Sequence, residues 1–141
     1  MGSRFSKMSF QIQPRLLKSS VEVFARDGCH VLLKNNRHFP WFLIVPEVED
    51  GVEDLHQLSE KRFAQVMALV REVSQFVEDY FSPEKLNVAC IGNQVRQMHL
   101  HIVGRSPDDP AWPGVVWSSE AKEVYPPERL SEIRSALLER L

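Results

Sequence analysis

The sequence predicts an α+β domain: an antiparallel sheet with one long helix packed on it and a C-terminal helix. Three observations carry that expectation. Strand-like apolar runs come in two pairs, within residues 29–46 and 86–105, each joined by a short polar link. The segment between the pairs, 59–81, repeats its apolar residues in steps of three and four. A second helical pattern follows Pro126 and Pro127.

Taken in order, residues 1–20 are polar and mixed, with Pro14 among them, and read as an irregular or partly helical lead-in. "CHVLLKN", 29–35, reads as a strand, and "WFLIVP", 41–46, as a buried one ended by Pro46. The link between them holds turn-prone Asn35 and Asn36, and Pro40 biases Phe39 away from helix. An antiparallel hairpin follows from this. "EVEDGVEDLHQL" is an acidic loop. Ser59 is placed to cap the helix 59–81, with Glu60 facing the dipole. Its expected buried stripe is Phe63, Val66, Met67, Val70, Val73, Phe76, Val77 and Tyr80. "LNVACIG", 86–92, is a strand, and the turn residues Gly92 and Asn93 lead into a partner strand, "QMHLHIVGR", 97–105. Residues 106–117 hold three prolines and two tryptophans, Trp112 and Trp117, and read as a packed loop. The last helix carries Leu130, Ile133, Leu137, Leu138 and Leu141 on one face.

Bulk properties narrow the function classes. The 141 residues, 43% hydrophobic and 26% charged, fit one globular domain that folds without disulfides or structural metal. A formal charge of −2, with acids and bases scattered, makes no case for a nucleic-acid polymer or a membrane surface. Cys29 and Cys90 form no CxxC and read as buried thiols in a reducing compartment. No apolar run approaches the roughly 18 residues a membrane span needs. The opening residues lack a signal-peptide core and read as a ragged end, so a cytoplasmic location is expected.

The chemistry concentrates in "QMHLHIVGR". Side chains alternate along a strand, so Gln97, His99, His101 and Val103 share one face, and Met98, Leu100 and Ile102 the other. The apolar face is expected on the core helix, and the polar face against water, a partner or a ligand. Spacing alone leaves three readings open: a solvent-exposed edge, a metal site on His99 and His101, or an anion site using imidazole and carboxamide N–H groups. The metal reading lacks an obvious third ligand, since Asp108 and Asp109 lie in the loop beyond. A neutral imidazole is also a competent nucleophile near pH 7.

These residues resemble the signature of the histidine triad (HIT) superfamily, His-φ-His-φ-His-φ-φ with φ apolar. Met98, Leu100, Ile102 and Val103 fill the φ positions, His99 matches the middle histidine and His101 the third. Gln97 stands where the first histidine belongs. "HVLLKNNRHFPWFLIVP" resembles the family's first hairpin, the helix 59–81 falls where its central helix lies, and "AWPG", 111–114, resembles the Trp-Pro element of the Hint branch. The likeness spans roughly 25–117, the core of an expected single HIT-like domain over 1–141, with 118–141 as tail and helix. The histidine some Hint-branch members carry after the "VP" is absent, and "EVED" follows Pro46. The chain is thereby similar to a divergent bacterial-type group of diadenosine-polyphosphate hydrolases.

The resemblance implies a nucleotide phosphohydrolase or nucleotidyl transferase acting at the α-phosphate, with a dinucleoside polyphosphate such as diadenosine tetraphosphate as substrate. His99 would be the nucleophile, forming a nucleotidyl-histidine intermediate, and a backbone carbonyl would hold its other nitrogen. His101 would face the phosphate or leaving group as hydrogen-bond donor or general acid. Gln97 would orient but not carry a proton. Asn93 is implied as a phosphate donor, Asn35 or Asn36 as the ribose contact, Arg105 as a contact to outer phosphates and Trp112 as a further nucleotide contact. Turn chemistry for the asparagines and a surface position for Arg105 are the plain alternatives. The motif requires no cofactor, although a divalent cation can accompany a polyphosphate. No zinc-binding sequence favours a galactose-phosphate uridylyltransferase. A homodimer is expected, with the long helix, the tail helix and the Trp112–Trp117 loop as candidate surfaces. Two rival functions remain: a regulatory nucleotide-binding protein with weak or no catalysis, and a metal-binding protein using His99 and His101.

Overall fold

The computed structural model describes residues 10–141; the ragged end read from the opening residues falls largely outside them. A short helical turn, α1 (Pro14–Leu17), leads into β1 (Ser20–Arg26), β2 (Cys29–Lys34) and β3 (Trp41–Pro46). The long helix α2 (Glu60–Phe81) follows, then β4 (Lys85–Cys90), β5 (Leu100–Arg105) and α3 (Pro127–Arg140). All strand pairs are antiparallel, in the order β1-β2-β3-β5-β4.

β1 is an element the sequence reading lacks. Its signal is "RDGC": Asp27 and Gly28 both have positive φ, 53° and 71°, which a two-residue primed turn demands. Arg26 thus pairs with Cys29 and closes the hairpin. The other two hairpins form as expected, and pairing of β3 with β5 fuses them into one sheet.

Every residue of β3 and of β5 is buried, which requires cover on both faces of the sheet. On one face, Val31, Leu33, Phe42, Ile44, Leu100 and Ile102 meet α2 and α3. On the other, Leu32, Leu43, Val45 and Val103 meet Ile12, Leu16, Trp41, Phe39 and Val116. Close contact with the helix is possible because residue 104 is glycine: a Cβ there would come within 3.0 Å of Val77 Cγ1 and 3.3 Å of Pro40 and Pro83.

Ser59 caps α2 by accepting from the Arg62 N–H. Its stripe differs from the expected one at five positions, Met67 and Val70 being only half-buried. Leu69 is buried, while Phe63 and Tyr80 are 42% and 38% exposed, because only the middle turns cross the sheet. In α3, Ile133 and Leu137 reach the core and Leu138 faces outward at 42% exposure. No helix among the described residues is long and apolar enough to cross a membrane.

Candidate active site

The strand holding the two histidines begins later than the motif suggests. Regular pairing starts at Leu100, so Gln97 and His99 lie on the extended approach to β5. Residues 91–96 make the bend before it, and Asn93 is exposed there. The alternation still holds, and the His99 and His101 rings stand side by side, 5.0 Å between centroids.

Of the surroundings open to the polar face, a solvent-exposed edge is not what forms. His99 is 6% and His101 7% exposed. The cause is an aromatic wall that sequence reasoning did not assign to the site. Trp41 on β3 lies 5.8 Å from the His101 ring, and Trp117 from the loop 5.2 Å from it. Trp41 shares this face because Leu43 pairs with His101 and Trp41 with Val103.

Two hydrogen bonds set the tautomers. The Nδ1–H of His99 donates to the Gln97 backbone carbonyl at 2.7 Å, which leaves Nε2 with a free lone pair. The indole N–H of Trp41 can only donate, and it donates to Nδ1 of His101 at 3.0 Å. The His101 proton is therefore on Nε2. Burial lowers the His99 pKa below its ordinary value, against the Gln97 hydrogen bond, and the Lys34 charge lowers it further. Burial, with the His99 and Lys34 charges adding, pushes His101 down to about 3. Both rings are neutral near pH 7.

Gln97 has a separate task. Its carboxamide oxygen accepts from the Gln13 N–H at 2.8 Å and its NH₂ donates to the Gln11 carbonyl at 2.9 Å. The residue thus straps the segment 11–13 with its side chain and holds His99 with its backbone.

The other sequence candidates have partners of their own. Asn35 Oδ1 accepts from the Tyr125 N–H at 2.9 Å, and Asn36 donates to the Ala121 carbonyl at 3.0 Å while accepting from His38 N–H at 3.1 Å. Both asparagines pin the segment 121–125 to the end of β2. Arg105 is not a surface residue. It is 2% exposed, and its guanidinium is taken up by both carboxylate oxygens of Asp109 and by Asn87 Oδ1. Six residues along the strand, it stands about 20 Å from His99. Trp112 lies over that guanidinium, 5.8 Å from ring centroid to Cζ. Among the described residues, no group of three or more His, Cys, Asp and Glu side chains comes together to hold a metal ion.

Lys34, on β2, is the cation nearest this wall that the sequence did not single out. Its ammonium stands 4.9 Å from the Trp41 ring centroid and donates to Ser19 Oγ at 3.2 Å. The signal that would have found Lys34 and Trp41 is the pairing of β2 with β3 and of β3 with β5, which no local pattern encodes.

The sequence matches the HIT domain family over residues 17–108. A crystal structure of a histidine triad protein from Sinorhizobium meliloti 1021 superposes with a TM-score of 0.88 at 28% identity, covering 95% of this chain and 98% of that one. A histidine triad protein from Bradyrhizobium japonicum gives 0.87 at 28%, over 93% and 97% of the two chains. One from Marinobacter aquaeolei VT8 gives 0.87 at 32%, over 94% and 96%. No curated protein matches the chain.

Proposed function

The chain belongs to the HIT domain family, whose members are typically nucleotide-binding hydrolases or transferases, and from that premise we propose that it cleaves a nucleotide at the α-phosphate through His99. The observation carrying this reading is the pair of fixed tautomers. His99 offers an unprotonated Nε2 beside a His101 ring that offers an Nε2–H.

In the first step the Nε2 lone pair of His99 attacks the α-phosphorus. The bridging P–O bond breaks, and its electron pair leaves on the departing group. The resulting imidazolium keeps its Nδ1 proton, held by the Gln97 carbonyl. In the second step water attacks the phosphorus, the N–P bond returns its pair to Nε2, nucleoside monophosphate departs with the water's OH, and the remaining proton passes to solvent. His101 acts here as a hydrogen-bond donor rather than a proton-transferring acid, because burial keeps it neutral. Gln97 needs no proton for this course.

Dinucleoside polyphosphates, diadenosine tetraphosphate among them, are the proposed substrates, and a homodimer the proposed assembly. The metal-binding alternative finds no third ligand of the usual kind among the described residues. The test is a panel of dinucleoside polyphosphates and nucleoside phosphoramidates against wild type and His99→Asn. Wild type should release nucleoside monophosphate and the variant should not. Ligand-dependent thermal stabilisation without turnover by wild type would instead establish a binding protein.

A further inference from the structure

Polyphosphate cleavage leaves negative charge on the departing phosphate, and the arginine that the sequence offered for it is spent on Asp109 and Asn87. A different cation stands beside the histidines. Lys34 makes no ion pair among the described residues, and its one hydrogen bond there is to a hydroxyl. The charge that acts on it is that of another cation, Lys122, carried on the segment that Asn36 pins through Ala121. A half-buried ammonium facing a like charge has electrostatic demand left over. A second unmet demand lies on the same wall. The indole N–H of Trp117 is buried without a hydrogen-bond partner among the described residues, and its ring stands 5.2 Å from His101 and 6.3 Å from Trp41. Buried donors are rarely left unsatisfied, so an orphan donor and an unpaired cation that both flank the Trp41 ring point to an acceptor that arrives from outside.

We infer that Lys34 and the Trp117 indole N–H, with Lys122 at the rim, form an anion subsite for the phosphates of the leaving group. The inference rests on the proposed hydrolase reading and narrows it. The enzyme would favour substrates whose leaving group is a phosphate chain over those that expel a neutral amine. As the bridging P–O bond breaks, the electron pair that departs with the leaving oxygen comes under the Lys34 charge, so the subsite acts more strongly in the transition state than in the ground state.

The experiment compares kcat/KM for a dinucleoside polyphosphate and for a nucleoside phosphoramidate in wild type, Lys34→Met, Lys34→Arg and Trp117→Phe. Methionine keeps the apolar stem over Trp41, and Lys34→Arg keeps the charge. The ratio of polyphosphate to phosphoramidate kcat/KM should fall roughly 10- to 100-fold in Lys34→Met, less in Trp117→Phe, and recover in Lys34→Arg. An unchanged ratio in Lys34→Met overturns the subsite. Calorimetric titration with inorganic pyrophosphate separates the two readings. If wild type cleaves neither substrate but binds pyrophosphate and Lys34→Met does not, the subsite stands and the hydrolase reading falls. Should wild type cleave neither substrate and bind no pyrophosphate, or Lys34→Met bind it equally well, the subsite is wrong.

Discussion

The indole N–H of Trp41 donates to Nδ1 of His101 across adjacent strands, 3.0 Å apart and sixty residues apart in sequence. That bond makes a residue of the apolar wall the fixer of a histidine tautomer. Trp41→Phe keeps an aromatic ring and removes the donor. The His101 Nδ1 is then a buried acceptor without a partner, or the ring shifts its proton there and loses the Nε2–H. Either outcome costs about 1–3 kcal/mol, or roughly 5- to 150-fold in kcat/KM. Hydrolysis kinetics check it. An unaltered kcat/KM would remove the tautomer from the mechanism.

The two imidazoles also make stability depend on pH in a defined direction. Burial holds both below the ordinary value of 6.5, His101 at about 3. As pH falls below about 6.5, the unfolded chain takes up protons the folded chain refuses, so the unfolded state gains. Folding stability should therefore drop from about pH 7 to about pH 5, above the main carboxylate range. His101→Asn should flatten that slope in urea denaturation series. Activity follows the same logic, with the acid limb of kcat/KM falling below 6.5.

Arg105 belongs to a structural anchor. Asp109 meets it with both oxygens and also accepts from the N–H groups of Ser106, Ala111 and Trp112. With side chains 2% and 7% exposed, this is a buried pair. Asp109→Ala strands the guanidinium and frees the loop, at a cost of about 3–5 kcal/mol. Urea denaturation should show that loss. If Arg105→Ala raised KM while leaving stability intact, Arg105 would be a substrate contact instead.

What the sequence disclosed and what it hid divide along the range of the interactions. Four strands, both long helices and the Ser59 cap follow from local periodicity and local hydrogen bonding, and they stand where expected save that β5 begins only at Leu100. β1 escaped although Asp27-Gly28 is a favoured primed-turn pair, because only Val23 of the strand is buried and its apolar run is weak. The pairing of His99 with His101 is a strand alternation and was legible. The Trp41 bond was not, because it needs the β3–β5 register, and Asn35 and Asn36 showed only turn chemistry because their partners lie on residues 121–125. Phe63 joined the predicted stripe by spacing, yet its side chain stays 42% exposed.

Gln97 is the sharpest case of a long-range role, since its partners lie 84 and 86 residues away. Its carboxamide meets one backbone donor and one backbone acceptor of the strap, so neither atom waits for a proton. Gln97→Ala should free the strap, although Phe10 still stacks on His30 at 5.6 Å and Ile12 and Leu16 remain buried. The two lost bonds are each worth about 0.5–1.5 kcal/mol, so amide exchange at Gln13 should quicken by about tenfold or more. The carbonyl that holds His99 belongs to the backbone and survives the substitution, so the nucleophile keeps its tautomer. Gln97→His is then the decisive comparison. An imidazole can offer one donor and one acceptor but not at the carboxamide's spacing, so this variant should also loosen the strap and gain nothing in kcat. A large gain in kcat with the Gln13 amide still protected would show that the first position of the motif must carry charge, and that glutamine holds the enzyme back.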